Sequence, residues 1–300
     1  MKYKSLAEIH EIAKQKKTVR LAVAVAEDEE VLEAVCTAAE ENIVDPILIG
    51  NRNKIKKIAQ NMNIDNCDQK IINVPDKRMA VSKAISLINE GEAEILMKGL
   101  VSTALLMKAV VNHEGGLKNN NTLLSHIAIF EIPHYHKLLC ITDAGMNIDP
   151  GFEEKVIILN NAVEVFHKLG TKKPKVAVIG SVENINPEME ATVHAAMLTM
   201  MNKRHQIKGC IVDGPLALDN AVSAEAARHK GITSEVAGDA DIILVPEIDT
   251  GNVLYKSLNF LGGATCASLI MGAKVPIVLT SRADSEKSKL MSIALAACIG

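Results

Sequence analysis

Residues 20–50, "RLAVAVAEDEEVLEAVCTAAEENIVDPILIG", decide the fold class of the 300-residue chain. The short apolar runs RLAVAVA and PILIG are typical of buried strands, and the segment between them repeats its apolar residues with a helical period. A strand, a helix and a second strand on this scale form a βαβ unit with parallel strands. The alternation returns in KIINV before KRMAVSKAISLINEG and in EILM before STALLMKAVVNH. We therefore expect an α/β fold whose parallel sheet is covered by helices on both faces.

The alternation is interrupted once, in the middle of the chain. From Ile127 the segment AIFEIPHYHKLLCITDAG has two strand-like runs around Pro133, which indicates an antiparallel excursion or a switch between domains. After Asp149 the rhythm resumes, with KVAVIG, GCIVDG, DIILVP and PIVLT as strands. A chain of this length exceeds what one core usually organises. We expect a first α/β domain of residues 1–132 and 275–300, a second of residues 133–274, and an active site in the cleft between them.

Composition narrows the classes of partner. The chain is 48% hydrophobic and carries a net charge of -3, with no Trp, three Tyr and four Phe. It lacks the basic footprint and the aromatic platforms of nucleic-acid binders, so we expect no nucleic-acid partner. The apolar run at residues 21–26 is too short for a signal-peptide core, and no apolar stretch is long enough to span a bilayer. The expectation is a cytoplasmic protein without a membrane partner.

Motifs for metals, bound cofactors and hydrolase triads are missing from the sequence. The six cysteines are scattered without a CxxC pair or zinc spacing, which predicts buried free thiols. Asp143 and Asp149 bracket AGMN, but their spacing matches no calcium loop. Neither a GxSxG elbow nor a GxGxxG fingerprint is present. We expect no metal and no bound cofactor.

Polar clusters follow the predicted strands at one end. Ligands of open parallel sheets bind outside the carboxyl ends of the strands, where helix N-termini attract anions. The clusters there are MKGLVST at 97–103, CITDAGMN at 140–147, VIGSVEN at 178–184, IVDGP at 211–215, VPEIDTGN at 245–252 and TSRAD at 280–284. The site is expected at this end of the sheet.

Each cluster also has a structural interpretation. Ser281 and Asp284 have the spacing of a capping box that starts a helix, but capping does not require Arg282 between them. A fixed cation beside a helix N-terminus suits phosphate. Lys98 and Gly99, with Ser102 and Thr103, allow backbone N–H groups to reach an anion, although no Walker motif is present. Turn or cap roles equally explain Asp213 and the Asp219–Asn220 pair.

Several motifs, in order, resemble the phosphate acetyl/butyryl transferases. They are IVDGPLALDNAVS, ADIILVPEIDTGNVLYKSL and PIVLTSRADS, preceded by MKGLVST and CITDAGMNIDP, and they cover most of the chain. The length without a fused regulatory domain is most similar to the butyryl members. The resemblance implies the reaction butyryl-CoA + phosphate = butyryl phosphate + CoA, with coenzyme A as a substrate. It also implies two α/β domains around a cleft, similar to the isocitrate and isopropylmalate dehydrogenases, and a homodimer or larger homo-oligomer.

The resemblance also implies roles for particular residues. Ser281 and Arg282 would be catalytic or phosphate-binding, and the family has an Asp seven residues after that Ser to take the thiol proton. Here that position is Ser288, so the base is open between Asp284, Asp143 and Asp249. The residues expected to bind substrate are Lys98, Gly99, Ser102, Thr103, Asn147, Asp213, Asp249, Gly251 and Asn252.

We expect direct transfer, in which a CoA thiolate attacks the acyl phosphate inside a ternary complex. No cysteine lies in the polar clusters beside a His or a helix N-terminus, as an acyl-enzyme nucleophile would; Cys140 is the thiol that comes nearest to one. The alternatives are a phosphate acetyltransferase, an NAD- and metal-dependent dehydrogenase of related fold, and a non-catalytic sensor of acyl-CoA or acyl phosphate. Acyl chain length and reaction direction stay open at this stage.

Overall fold

The computed structural model describes residues 3–64, 70–118, 122–280 and 284–300. In chain order the elements up to residue 142 are α1 (Leu6–Gln15), β1 (Val19–Ala24), α2 (Glu29–Glu40), β2 (Val44–Gly50), α3 (Arg52–Asn61), β3 (Ile71–Asn73), α4 (Lys77–Asn89), β4 (Ile95–Lys98), α5 (Thr103–Val110), β5 (Ser125–Glu131) and β6 (Leu139–Thr142). They continue with α6 (Phe152–Lys168), β7 (Lys175–Ile179), α7 (Glu190–Lys203), β8 (Ile211–Leu216), α8 (Leu218–Val222), α9 (Ala224–His229), β9 (Ile242–Leu244), α10 (Ile248–Phe260), β10 (Thr265–Met271), β11 (Ile277–Val278) and α11 (Glu286–Ile299).

The chain forms two compact units, and one of them is built from both ends of the chain. The terminal unit comprises Ala7–Thr122 and Ala267–Gly300, and the middle unit comprises Met1–Leu6 and Leu123–Cys266. These limits lie about ten residues before the expected limits at 132/133 and 274/275, because β5 pairs with β6 and belongs to the middle unit. An active site in a cleft between domains stays a prediction.

The terminal unit has the expected α/β architecture. Its strands run in the order β3-β2-β1-β4-β11-β10, and every pair is parallel except β10–β11. β1 and β4 are buried on both faces, which explains why RLAVAVA and EILM are continuous apolar runs rather than alternating ones. β10, TCASLIM, is a strand that the sequence patterns did not predict, because a short apolar run fits a buried helix equally well.

The middle unit confirms the antiparallel interruption. β5 pairs antiparallel with β6 in the register Ala128↔Ile141, and the parallel pairs β6–β9, β9–β7 and β7–β8 follow across the sheet. Its apolar core contains Phe130, Ile141 and Ile243. A mixed α/β fold is therefore present in both units.

Helix starts follow local capping chemistry. The side chains of Asp28, Asn51, Asp76 and Ser102 each accept the backbone N–H three residues on, at the starts of α2, α3, α4 and α5. These bonds satisfy donors that a helix leaves free in its first turn. Four of the helices thus begin where a short polar residue in the sequence allows it.

The predicted capping box of Ser281 and Asp284 is wrong. α11 begins at Glu286, and its N-cap is Ser285, whose side chain accepts the N–H of Ser288. Asp284 consequently lies before the helix and not in its first turn. The reason is that SRADSEKS, at residues 281–288, offers both Ser281 and Ser285 a partner three residues on, and α11 starts after Ser285.

A charged cluster stabilises the amino-terminal edge of the middle unit's sheet. Asp239 forms ion pairs with His136, Lys137 and Lys175, and Lys137 also pairs with Asp241 at 2.8 Å. Burial raises the pKa of Asp239, but the hydrogen bonds from Lys137, Lys175 and His136 outweigh it and hold the pKa well below its usual value. The cluster lies at the start of the strands, away from their carboxyl ends, so we assign it a structural role.

Candidate functional site

The connection between β4 and α5 is held tightly against the end of β1. Gly99 donates its N–H to Ala24 O at 2.9 Å, and Leu100 donates to Val25 O at 2.7 Å. A Cβ on Gly99 would lie only 2.0 Å from Val25 O, so no side chain fits there. The glycine at position 99 is thus required by β1, and its N–H group is used there, so its expected contact with an anion stays a prediction.

The three other predicted residues of this connection lie beside it. Lys98 is buried, with Nζ 3.3 Å from Gly99 O, and its ammonium group therefore lies over the loop backbone. Ser102 caps α5 by accepting the N–H of Leu105 at 3.2 Å, which leaves its hydroxyl proton able to donate elsewhere. Thr103 is exposed at the first helical position. Two hydroxyls and a cation are therefore grouped at one helix N-terminus, a combination suited to an anion, whereas the N–H groups of Gly99, Leu100 and Val101 already donate to backbone oxygens.

Two of the predicted catalytic residues, Ser281 and Arg282, lie outside the described residues. The chain is described again from Asp284, which is partly exposed and whose backbone oxygen accepts a hydrogen bond from Lys289 Nζ. Ser288, at the position where the resemblance implies an Asp, uses its backbone N–H to start α11. Residue 288 itself therefore offers a hydroxyl group where the resemblance implies a carboxylate.

Asp143 organises the loop between β6 and α6. The side chain is 2% exposed. Its Oδ1 accepts the N–H groups of Gly145 and Met146, both at 2.9 Å, and its Oδ2 accepts Asn147 Nδ2 at 2.6 Å. Asn147 also donates to Leu124 O at 2.8 Å. Because both carboxylate oxygens already accept hydrogen bonds inside the loop, the geometry favours a positioning role for Asp143 over proton transfer.

The start of α10 contacts the same loop. A Cβ on Gly251 would lie 2.5 Å from Asp143 O, and Asn252 Nδ2 lies 3.4 Å from Ala144 O. Glu247 caps the helix by accepting the N–H groups of Asp249 and Thr250. The structure thus brings together Asp143, Asn147, Gly251 and Asn252. Asp249 is exposed in the first turn of α10.

Asp213 lies apart from that group. Its Oδ1 accepts the N–H of its own neighbour, Gly214, at 3.0 Å. It lines a cavity of about 440 Å³ beside the edge strand β8, together with Lys203, Thr233, Ser234 and Glu235. The turn-shaping interpretation of Asp213 is consistent with this bond, and no bond to the Asp143 loop is recorded for it within the described residues.

Cysteine chemistry provides little for catalysis. Cys140, Cys210, Cys266 and Cys298 are free and buried, whereas Cys36 is in a disulfide bond, so the expectation of free thiols is wrong for Cys36. Burial raises the pKa of Cys140 far above that of a free thiol and disfavours the thiolate that a nucleophile needs. Within the described ranges, no three His, Cys, Asp or Glu side chains are arranged to hold a metal ion, and no described helix is long and apolar enough to cross a membrane.

Sequence reasoning missed three polar residues at the carboxyl ends of the strands. Glu247 is an N-cap of a residue type that capping preferences do not favour. Lys155 is buried in the first turn of α6, with Nζ 3.1 Å from His194 Nδ1, and burial lowers the pKa of Lys155. Lys289 is buried in α11. No local pattern distinguishes a buried lysine from an exposed one, so only the packing reveals the last two.

The fold and these loops define an α/β protein that places helix starts, hydroxyls and an ammonium group at the carboxyl ends of parallel strands. The profile of the phosphate acetyl/butaryl transferase family matches residues 5–81 and 77–297. The chain belongs to that family, and it is accordingly a phosphate acyltransferase.

Two relatives and one solved structure are similar to this chain along nearly its whole length. The phosphate butyryltransferase of Clostridium acetobutylicum is 49% identical over 296 residues, covering 99% of this chain and 98% of the relative. The phosphate acetyltransferase of Thermotoga maritima is 46% identical over 278 residues, covering 93% of this chain and 94% of the relative. A solved branched-chain phosphotransacylase from Enterococcus faecalis V583 matches with a TM-score of 0.82 at 37% identity, covering 94% of this chain and 98% of that one.

Proposed function

We propose that this acyltransferase interconverts butyryl-CoA and phosphate with butyryl phosphate and CoA. The observation that carries the proposal is the 49% identity, over 99% of the chain, to a relative named phosphate butyryltransferase. A relative named phosphate acetyltransferase is nearly as similar, at 46%, so acetyl transfer is the second candidate. The β4–α5 connection supports a phosphate substrate, because the start of α5, the Ser102 and Thr103 hydroxyls and the Lys98 ammonium group lie together there.

The chemistry requires stabilisation of two developing charges. When the CoA thiolate attacks the acyl-phosphate carbonyl carbon, the new S–C bond forms, charge develops on the carbonyl oxygen, and the C–O bond to phosphate breaks. Arg282 is proposed to hold the departing phosphate bidentately, with Ser281 as a further donor, while Lys98, Ser102 and Thr103 form the second anion-binding group beside Gly99.

The loop of the middle unit is proposed to bind the acyl-CoA. Asp143 orders the residues 143–147 from within, and Gly251 lets α10 approach that loop closely enough for Asn252 to reach it. We propose Asn252 and Asp249 as the groups available to a polar part of the substrate and Asn147 as their support. Asp213 is proposed to contribute only if the substrate extends to the cavity beside β8.

Direct transfer within a ternary complex is consistent with the burial of the free cysteines in the described part of the chain. Cys140 is buried and its high pKa disfavours the thiolate, so an acyl-cysteine intermediate there is unfavourable. A CoA thiol has a pKa of about 8.5 and needs little help from a base near neutral pH. Asp284 and Asp249 are the proposed acceptors of the thiol proton, since both carboxylate oxygens of Asp143 already accept hydrogen bonds from its own loop. Intersecting initial-rate patterns are expected; parallel lines with a trapped acyl-enzyme would contradict direct transfer.

The decisive experiment measures phosphate-dependent CoA release from acetyl-, propionyl-, butyryl- and valeryl-CoA with a thiol reagent. We expect the highest kcat/KM with butyryl-CoA. Arg282→Ala is expected to lower kcat/KM for phosphate by about 10²–10³-fold, the usual loss when one charge-stabilising donor is removed. Arg204→Ala, at the exposed end of α7, is the matched control and should stay within twofold. Equal rates with acetyl-CoA would favour the acetyltransferase, and no release with any acyl group would refute both.

Membership of the acyltransferase family removes the other two alternatives from the sequence, a dehydrogenase of related fold and a non-catalytic sensor. The finer likeness to the isocitrate dehydrogenase fold, the cytoplasmic location and a homodimer or larger assembly stay predictions. Mass measurement of the native protein in solution tests the assembly.

A further inference from the structure

A lysine and a histidine are buried together at the carboxyl ends of the middle unit's strands. Lys155, in the first turn of α6, is 3% exposed, and the side chain of His194, on α7, is 12% exposed. Lys155 Nζ lies 3.1 Å from His194 Nδ1. Phe152, at the start of α6, also contacts the imidazole, with 5.5 Å between the ring centroids. Neither Lys155 nor His194 belongs to the groups proposed to bind substrate, so the pair needs another explanation.

The geometry decides which of the two side chains carries the proton. An ammonium group donates hydrogen bonds and accepts none, so His194 Nδ1 must be the acceptor and bear no proton. The neutral imidazole then carries its proton on Nε2, which lies 3.7 Å from Glu190 Oε1. The ordinary pKa of lysine exceeds that of histidine by about four units, so the lysine keeps its proton at neutral pH. At pH 7 the pair therefore consists of a charged Lys155 and a neutral His194.

The contact between these two side chains does not tolerate a second proton. A protonated His194 has two N–H donors and no acceptor, so the bond from Lys155 is lost and two positive charges face each other. Burial and the charge of Lys155 accordingly lower the pKa of His194 below its usual value of 6.5. The carboxylates around the imidazole, Glu190, Asp149 and Glu153, raise this pKa but offset the decrease only in part. The contact between α6 and α7 is therefore sensitive to acid.

The carboxylates that act on Lys155 come from three elements. They are Asp149 and Glu154 at the start of α6, Glu190 on α7 and Glu247 at the start of α10, and each favours the charged form of the lysine. Burial lowers the pKa of Lys155 in spite of them. Because these carboxylates help to keep the proton on Lys155, a proton that acid adds to the pair goes to His194.

The pair adjoins the loop of residues 143–151, between β6 and α6. Lys155 donates its backbone N–H to Gly151 O at 2.9 Å, so the loop ends on the helical turn that carries the lysine. Gly151 in turn donates its N–H to Glu154 Oε2 at 2.8 Å. Ile148 O accepts the N–H of Ile248 at 3.0 Å, which joins the same loop to α10. A displacement of the first turn of α6 away from α7 would therefore move the end of this loop.

We propose that the Lys155–His194 pair is a pH-sensitive link between α6 and α7 that holds the β6–α6 loop in the conformation that binds acyl-CoA. Protonation of His194 releases the link, and the enzyme then binds acyl-CoA more weakly. The proposal rests on the proposed role of this loop in binding acyl-CoA, whereas the titration of His194 does not depend on that role.

The first measurement is the titration of His194 in the full-length enzyme, followed by NMR of the histidine side chains. The signal is assigned by its absence in His194→Asn. We expect a pKa below 6.5, and in Lys155→Met a pKa higher by at least about 0.5, because the neighbouring charge is gone. Lys168→Met, at the exposed end of α6, is the matched control and should leave the pKa of His194 unchanged. A wild-type pKa of 6.5 or higher would overturn the proposal.

The second measurement is KM for butyryl-CoA between pH 7.5 and 5.5. His194→Asn replaces the Nδ1 acceptor with an amide oxygen that does not titrate. Ionisation of the substrate affects both enzymes equally, so the wild-type KM should rise on acidification at least threefold more than the KM of His194→Asn. His229→Asn, at the exposed end of α9, is the matched control and should follow the wild type. Equal pH dependence of KM in the wild type and in His194→Asn would overturn the proposal.

Two further variants keep the outcome decisive. If His194→Asn does not fold, Lys155→Met serves instead: without the link its KM for butyryl-CoA should already be at least threefold higher at pH 7.5, and a wild-type KM would overturn the proposal. Asn252→Ala tests the function on which the proposal rests. An unchanged KM for butyryl-CoA in that variant would refute the proposed role of the loop, and this proposal with it, even where His194 titrates as expected.

Discussion

Gly99→Ala tests whether the β4–α5 connection is fixed by its contact with β1. The added Cβ would lie 2.0 Å from Val25 O, which is 1.4 Å short of an ordinary 3.4 Å contact. The loop must therefore move away from β1, and the hydrogen bonds from Gly99 to Ala24 O and from Leu100 to Val25 O lengthen with it. Two weakened bonds and an overpacked contact together cost about 2–5 kcal/mol of the free energy of unfolding.

The assay is urea unfolding followed by circular dichroism, together with KM for phosphate. Gly151→Ala is the matched control, because a Cβ there meets its nearest atom at 3.8 Å and its φ is -66°. The control should lower the free energy of unfolding by no more than about 1 kcal/mol, the part expected because Ala is a poorer N-cap than Gly at the start of α6. We also expect KM for phosphate to rise in Gly99→Ala only. If Gly99→Ala were as stable as Gly151→Ala, the close approach of loop and strand would not be what fixes this connection.

Two further predictions concern the middle unit. Gly251→Ala places a Cβ 2.5 Å from Asp143 O, so we expect a loss of about 1–3 kcal/mol in the free energy of unfolding and a higher KM for butyryl-CoA; an unchanged KM would contradict the proposed role of this loop. Asp239 has a pKa below its unfolded value of 3.8, so its ion pairs contribute stability above that pH and lose it as the pH falls through the lowered pKa. Asp239→Asn should therefore melt at a lower temperature than the wild type at pH 7, and the difference should shrink below about pH 4. Melting curves from pH 3 to 8 measure this, and a difference independent of pH would contradict the assignment.

Much of the fold could be predicted from the sequence because it depends on local patterns. Strands buried on both faces appear as continuous apolar runs, as in β1 and β4. Helix starts at Asp28, Asn51 and Asp76 follow from the hydrogen bonds that short polar side chains make to the first helical turn. Elements of this kind require no knowledge of distant residues.

The start of α11 shows where local patterns stop being sufficient. Ser281 and Ser285 each have a downstream residue at capping distance, and the sequence does not distinguish them. The structure selects Ser285, since Lys289 and Ser292 tie the following turn to Asp284 and to β10. The role of Asp143 could not be predicted for the same reason. An Asp is a residue type that can act as a base, but the hydrogen bonds of this one hold its own loop in place.

The sequence alone determined the α/β class, the order of its strands apart from β10, and the motifs that resemble an acyltransferase family, because period and motif spacing are properties of neighbouring residues. The tertiary structure decided which polar side chains already have hydrogen-bond partners within the fold and which charged side chains are buried beside a partner. Asp143 is saturated by its own loop, and Lys289 is buried between Glu30 and the carbonyl of Asp284. Those assignments depend on contacts between residues as much as 259 positions apart, such as Glu30 and Lys289, and on the cost of leaving a buried charge unpaired.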